Sequence, residues 1–195
     1  MKAGLGMALI CSGLLIGCNL IASPGKQVKP PADSLSAADR TFMTSAEDAN
    51  LAEIGTAKMI EQKSKDPGVK DFAQRMVTDH TQASQSLAKV AQMTGVTLPA
   101  TPSAADSTQE NELEKLSGAK LNETYMRDEL AGHKQVISEF ESEIEHGQDE
   151  AVKNYAAQTL PTLQDHIRIA EDVAGKMGMS GKAGLNEESD AIAVR

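Results

Sequence analysis

One stretch of this chain, residues 67–94, constrains the fold more than any other. It follows Asp66, opens with Pro67 and stops before Gly95, which are signals typical of the start and end of an α-helix. At about 100° per residue, six of its side chains, most of them apolar, fall within about 40° of one line on the helix surface. The residues on that line are Val69, Ala73, Met76, His80, Leu87 and Ala91. The segment therefore predicts a long amphipathic helix with a histidine in the middle of its buried face.

Three further segments show the same helical periodicity. They run from about Ala37 to Lys65, from about Ala119 to His146, and from a cap at Asp149 to about Lys176. Only 3% of the residues are aromatic and none is Trp, a composition that favours helices over sheets. Because the connections are short and each helix has one apolar face, we predict an all-α fold, an antiparallel four-helix bundle.

A shorter helical stretch is predicted between the second and third long helices. Ser107 to Glu110 forms a capping box, so a helix is expected from there to about Leu116. Ser117 and Gly118 should separate it from the next long helix. The predicted bundle domain spans residues 36–177, and residues 178–195, which contain repeated glycines, are expected to form a disordered tail.

The N-terminus predicts export and a lipid anchor. Lys2 precedes an apolar run, from Ala3 to Ile16, that is too short to span a bilayer but suits a signal peptide over residues 1–17. The run ends in Leu-Ile-Gly-Cys, which resembles the lipobox of bacterial lipoproteins and predicts acylation of Cys18. The alternative is an ordinary secretory signal that is cut near Ala22. Residues 18–35, which include several prolines, are expected to be a flexible tether.

The predicted location is the outer membrane, with the domain facing the periplasm. Asn19 is not the aspartate that signals inner-membrane retention in enterobacterial lipoproteins. The net charge is −9 and no basic run interleaves with aromatic residues, so no nucleic-acid partner is expected. The membrane is the expected partner, through the anchor, and the sequence specifies no protein partner. The domain has no cysteine after Cys18, which excludes a disulfide or a thiolate site within it.

Each of the four long helices places one polar residue near its middle on the apolar face. These residues are Glu53, His80, His133 and His166. An isolated buried carboxylate costs on the order of several kcal/mol, so Glu53 should have a partner. In one hypothesis the four residues form a hydrogen-bonded network that fixes helix register. In the other they bind a transition-metal ion such as iron, copper or zinc, which imidazoles and a carboxylate suit.

Four other residues are secondary candidates near this polar site. Glu129 and Tyr125 lie on the flank of His133 and could join the network. Met76 and Met126 could supply thioether ligands to copper, although core packing is the more common role of methionine. His146 lies in the last turn of its helix, where a cation complements the helix dipole, and is interpreted as structural.

Three functions remain open at this point. The leading one is a lipid-anchored, non-enzymatic helical bundle with an internal Glu/His site, acting in envelope maintenance or stress. The second is a metal-binding or redox protein that uses the same cluster. The third is an interaction module whose acidic surface docks an envelope protein. No phosphate-binding loop or activated serine is present in the sequence.

The chain also resembles a known family. The string Phe-Ala-Gln-Arg-Met-Val-Thr-Asp-His-Thr at residues 72–81 is similar to the core motif of the DUF4142 family. Agreement extends over roughly residues 39–173. It includes Glu53-Ile54, Leu116-Ser117-Gly118-Ala119, Tyr125, His133, Leu160-Pro161 and His166. The resemblance implies a ferritin-like helical bundle in an exported or outer-membrane bacterial protein of uncharacterised function.

The resemblance does not imply the di-iron chemistry of ferritins. Di-iron proteins of that fold use a Glu-x-x-His pair on two helices. The residues three positions before His80, His133 and His166 are Val77, Leu130 and Leu163. Because none of these is a carboxylate, a ferritin-type di-iron centre is not expected.

Overall fold

The computed structural model describes residues 35–179, and within that range the chain is all-α. Five helices follow one another, four of 27 to 29 residues and one of 11. They are α1 (Ala37–Lys63), α2 (Pro67–Thr94), α3 (Ala104–Glu114), α4 (Gly118–His146) and α5 (Glu150–Lys176). No strand occurs among the described residues, so the predicted all-α class is confirmed. The signal peptide, nearly all of the tether, and residues 180–195 of the predicted tail lie outside the described range.

The ends of the helices are set by local side-chain chemistry. Ser36 and Asp66 accept hydrogen bonds from backbone N–H groups in the first turns of α1 and α2, each at 3.0 Å. Asp149 does the same for two N–H groups of α5. Gly95 ends α2 in the left-handed conformation, with φ of 78°, which a residue without a Cβ adopts at least cost. The bounds predicted for α2 are confirmed.

The start of α3 differs from its prediction. The helix is capped by Ser103, whose Oγ accepts from the Asp106 N–H at 3.2 Å. Ser107 lies inside the first turn, and its hydroxyl donates to the Ser103 carbonyl. The prediction of a cap at Ser107 was therefore wrong. The reason is tertiary, because the Ser103 N–H donates to Asp48 on α1 at 2.6 Å and fixes where the helix begins.

The side chains of the interior form two apolar clusters with a polar layer between them. One cluster contains Phe72 and Tyr125, together with the C-terminal halves of α1 and α5. The other contains Leu87, Phe140 and Tyr155. On every long helix the polar site residue falls, in sequence, between the residues that join the first cluster and those that join the second. This arrangement places the polar layer near mid-height, between apolar material on both sides.

Contacts between helices explain how the layer is assembled. α1 packs against α2, α4 against α5, and α2 against α5, while α3 contacts both α1 and α4. None of the described helices is long and apolar enough to cross a bilayer.

Asp39 joins the first helix to the turn between α4 and α5. It is fully buried, and its two carboxylate oxygens accept from the backbone N–H groups of Gln148 and Asp149, each at 3.0 Å. Glu143 lies beside it, and burial together with the neighbouring Asp39 charge raises the pKa of Glu143 to about 7. The Asp39 contact thus ties the start of α1 to the α4–α5 turn and brings two carboxyl groups together.

We expect Glu143→Gln to stabilise the domain at pH 8 by about 1 kcal/mol. This free energy is smaller than the full pKa shift implies, because solvent and Lys153 screen the charge of the carboxylate. A raised pKa means that the folded state prefers the protonated carboxyl. Stability is therefore lost as the pH rises towards about 7, and the amide removes that loss. Thermal melts at pH 5 and pH 8 measure the effect, with the exposed Glu145→Gln as control. An equal change at both pH values would contradict the assignment.

Candidate metal centre

Three histidines from three helices meet in the polar layer. His80 comes from α2, His133 from α4 and His166 from α5, and each is at most 4% exposed. Their ring centroids are 5.2 to 5.7 Å apart. One nitrogen from each ring lies within 4.8 Å of one nitrogen from each of the other two. The sequence placed all three on inward faces, and the structure brings them into one cluster.

Each imidazole has one nitrogen held by an acceptor outside the cluster. His80 Nδ1 donates to Asn50 Oδ1 at 3.0 Å, and His133 Nδ1 lies 3.1 Å from the Glu129 backbone carbonyl oxygen and 3.4 Å from Glu129 Oε2. His166 Nε2 donates to Asp79 Oδ2 at 2.9 Å. An outer acceptor of this kind fixes the tautomer and the ring orientation of a metal-binding histidine.

The remaining nitrogens face one another inside the cluster. His133 Nε2 and His166 Nδ1 are 3.2 Å apart, and His80 Nε2 is buried with no hydrogen-bond partner among the described residues. In neutral rings whose other nitrogen donates, these three atoms carry lone pairs. Two lone pairs at 3.2 Å repel unless a cation, either a proton or a metal ion, lies between or beside them.

Burial makes a proton an unfavourable cation between these ring nitrogens. It lowers the pKa of His80 well below its usual range, and the charges that His133 and His166 would carry lower it further. Burial also lowers the pKa of His133 and of His166, although the Asp79 carboxylate acts in the opposite direction on His166. The layer thus favours neutral imidazoles, which is the form that binds metals.

Glu53 lies with a different group of side chains. It forms a second cluster with Glu129 and His133, whose candidate ligand atoms also lie within 4.8 Å of one another. Burial raises the pKa of Glu53, and burial together with the Glu53 carboxyl raises that of Glu129 well above its usual range. The four residues proposed from sequence therefore divide into two groups that share His133.

The secondary candidates also fall into two sets. Glu129, which is 5% exposed, belongs to the Glu53 cluster, and Tyr125, which is 1% exposed, lines the same cavity. Burial raises the pKa of Tyr125 well above its usual range, and the Glu129 carboxyl adds to that effect. Met76 and Met126 are fully buried in the apolar cluster around Phe72, where they act as core residues.

Sequence reasoning missed the two side-chain acceptors that orient the rings. Asn50 lies one turn before Glu53 on α1 and is 4% exposed, and its amide nitrogen also donates to Tyr155 at 3.4 Å. Asp79 faces the neighbouring helix α5, where its carboxylate joins His166 to Arg75. A buried asparagine at helical spacing from Glu53 was the available signal for the first. The second required knowing that α2 and α5 are in contact.

These features define a class of protein: an all-α domain with an internal histidine cluster beside a carboxylate cluster. The family model described as "Domain of unknown function (DUF4142)" matches residues 24–173, and the chain belongs to that family. No curated protein matches the chain.

One similar solved structure is the "Crystal structure of DUF305 fragment from Deinococcus radiodurans". It superposes with a TM-score of 0.64 at 14% sequence identity, and the match covers 73% of this chain and 98% of that one. At this identity the likeness concerns the fold alone.

The tautomers of the three histidines give a direct test of this geometry. At pH 7 we expect the metal-free protein to carry the ring proton on Nδ1 in both His80 and His133, because the acceptors lie on that side. Long-range ¹⁵N–¹H correlation spectra distinguish the two tautomers, with the exposed His146 as an internal reference. An Nε2–H tautomer at His80 would contradict the structure.

Proposed function

We propose that this protein is a lipid-anchored, periplasm-facing helical protein that binds a transition-metal ion through His80, His133 and His166. The role proposed is binding rather than catalysis. The observation that carries it is the set of three buried imidazole nitrogens left without outer partners, two of them 3.2 Å apart. Neutral imidazoles suit zinc, copper and iron.

The distances support a site that closes slightly on the ion. Two ligands of one tetrahedral ion, with metal–nitrogen bonds near 2 Å, should lie about 3 to 4 Å apart. The His133–His166 pair meets this value, and the full set lies within 4.8 Å. A small rotation of the His80 ring, which no neighbour holds at Nε2, would complete three ligands and leave a fourth position for water or an exogenous ligand.

A cavity offers a path to this position. It has a volume of about 260 Å³ and is lined by residues of α2 and α5, including Asp79, His80 and His166. Gln82, Gln158 and Thr159 add neutral polar groups to its wall. Such a path would let an ion exchange without unfolding of the domain.

The fold that would hold the ion is, we propose, an antiparallel four-helix bundle of ferritin-like type. The four long helices are each about 40 Å long at a rise of 1.5 Å per residue. Connections of three residues, 64–66 and 147–149, join α1 to α2 and α4 to α5. Connections this short favour antiparallel neighbours, and α3 is then an addition within the long crossover from α2 to α4.

Metal titration tests the proposed site. We expect the full-length protein, purified without a His-tag or chelator, to bind about one equivalent of Co²⁺ with the visible absorption of a low-symmetry imidazole site. His80→Ala and His166→Ala should abolish that absorption. Asp79→Asn and Asn50→Leu should weaken binding by roughly 10- to 100-fold, because they remove the acceptors that orient the rings.

The exposed His146→Ala is the matched control for these histidine variants and should bind Co²⁺ normally. A protein that takes up no metal and melts at the same temperature with and without Co²⁺ or Zn²⁺ would refute the proposal. If His80→Ala then lowered the melting temperature, the histidines would instead form a structural network around one proton.

The proposed anchor is tested at Cys18. In bacteria supplied with labelled fatty acid, we expect Cys18→Ala to abolish incorporation of the label and to release the protein from the membrane fraction. A single acyl group binds membranes weakly, whereas the multiple chains of a bacterial lipoprotein hold it firmly. Cys11→Ala is the control, because Cys11 would leave with the signal peptide. Unchanged labelling of the Cys18 variant would contradict the prediction.

A further inference from the structure

We propose that a second cation, of the hard oxygen-binding kind, binds at the floor of a cavity between α1, α3 and α4, on the carboxylates of Glu53 and Glu129 beside Tyr125. The cavity has a volume of about 400 Å³, and these three side chains contribute to its lining. It lies on the other side of the polar layer from the cavity that reaches His80 and His166.

Two buried oxygen atoms at the floor lack hydrogen-bond partners among the described residues. Glu129 is 5% exposed, and its Oε2 accepts no hydrogen bond there, although it lies 3.4 Å from His133 Nδ1. Tyr125 is 1% exposed, and its Oη is likewise without a partner in the described chain. An unsatisfied buried polar atom is costly, and native structures rarely tolerate one without a bound ion or water.

The neighbouring groups can complete a coordination shell. Candidate ligand oxygens of Glu53 and Glu129 lie within 4.8 Å of each other, a spacing that oxygen ligands of one divalent ion can adopt, and a His133 ring nitrogen lies within the same distance. A divalent cation would also compensate the charges of the two neighbouring carboxylates.

The charges of the side chains that line the cavity favour binding of a cation over binding of an anion. Five more carboxylates line it: Asp48, Asp106, Glu110, Asp128 and Glu139. Some have partners, since Asp48 and Asp106 accept hydrogen bonds from Ser103, and Asp128 pairs with Arg127 at 3.2 Å. No Lys or Arg is among the described residues of the lining. A cleft lined by one sign of charge concentrates counter-ions, so this wall would draw cations towards Glu129.

The chemistry of the ligands separates this site from the histidine cluster. Carboxylate, phenol and water oxygens suit Mn²⁺, Mg²⁺ and Ca²⁺, whereas the three imidazoles suit zinc, copper and iron. Occupation of one site does not require the other, although His133 borders both. A test of the second site therefore does not depend on whether the function proposed above is correct.

Mn²⁺ is the probe for this site because free and bound Mn²⁺ differ in their electron paramagnetic resonance signal. We expect the full-length protein to bind about one equivalent of Mn²⁺. Glu53→Gln and Glu129→Gln should each weaken binding by at least about tenfold, because each removes one anionic ligand. Tyr125→Phe should have a smaller effect, and it keeps the packing of the ring.

Two controls decide between the sites. Glu145→Gln removes a carboxylate of the same helix that is exposed to solvent, and should leave Mn²⁺ binding unchanged. His80→Ala should leave Mn²⁺ binding within about twofold while it abolishes Co²⁺ absorption at the histidine cluster. Circular dichroism melts verify that each variant is folded, and Glu129→Ala, which also removes the anionic ligand, replaces Glu129→Gln if that variant does not fold.

The proposal is overturned if Mn²⁺ does not bind, or if folded Glu53→Gln and Tyr125→Phe proteins, together with the folded Glu129 variant, bind it as well as the parent. It is also overturned if His80→Ala removes Mn²⁺ binding and the glutamate variants do not, because the ion would then belong to the histidine cluster.

Discussion

The polar layer depends on the meeting of His133 Nε2 and His166 Nδ1 at 3.2 Å. Each ring has already committed its other nitrogen to an acceptor, a backbone carbonyl in one case and the Asp79 carboxylate in the other. Two bare ring nitrogens at that distance would repel each other, so the pair needs either a proton or a metal ion between them. Burial lowers the pKa of both rings and so disfavours a full positive charge on either imidazole.

The packing of the helices limits how the rings can be satisfied. Apolar clusters lie on both sides of the layer along the helices, and the two cavities reach the layer from between the helices. A buried polar network in such a position is stabilising only when its members are satisfied. It also resists a shift of one helix along another, because such a shift would separate the imidazoles from Asn50, the Glu129 carbonyl and Asp79.

The two proposed cation sites differ in their ligand types, because the two sides of the polar layer present different side chains. The α2–α5 side presents imidazoles and neutral polar groups, and the α1–α3–α4 side presents carboxylates. The placement differs from the Glu-x-x-His arrangement of ferritin-like di-iron proteins, because here the carboxylate of Glu129 lies four residues before His133. Membership in the DUF4142 family and the likeness to the DUF305 fragment concern family and fold. They are therefore compatible with ligands that differ from those of a ferritin-type di-iron centre.

The sequence by itself determined the helices and which face of each is buried. Periodicity and caps are local properties, so Asp66, Pro67 and Gly95 were sufficient to give the bounds of α2, and the inward positions of His80, His133 and His166 followed from the 3.6-residue repeat. Only the tertiary structure decided which inward side chains meet, because that depends on helix order and height. It grouped Glu53 with Glu129 instead of with His80 and His166. It also brought Asn50 and Asp79 behind the rings and moved the start of α3 to Ser103, through contacts between residues distant in the chain.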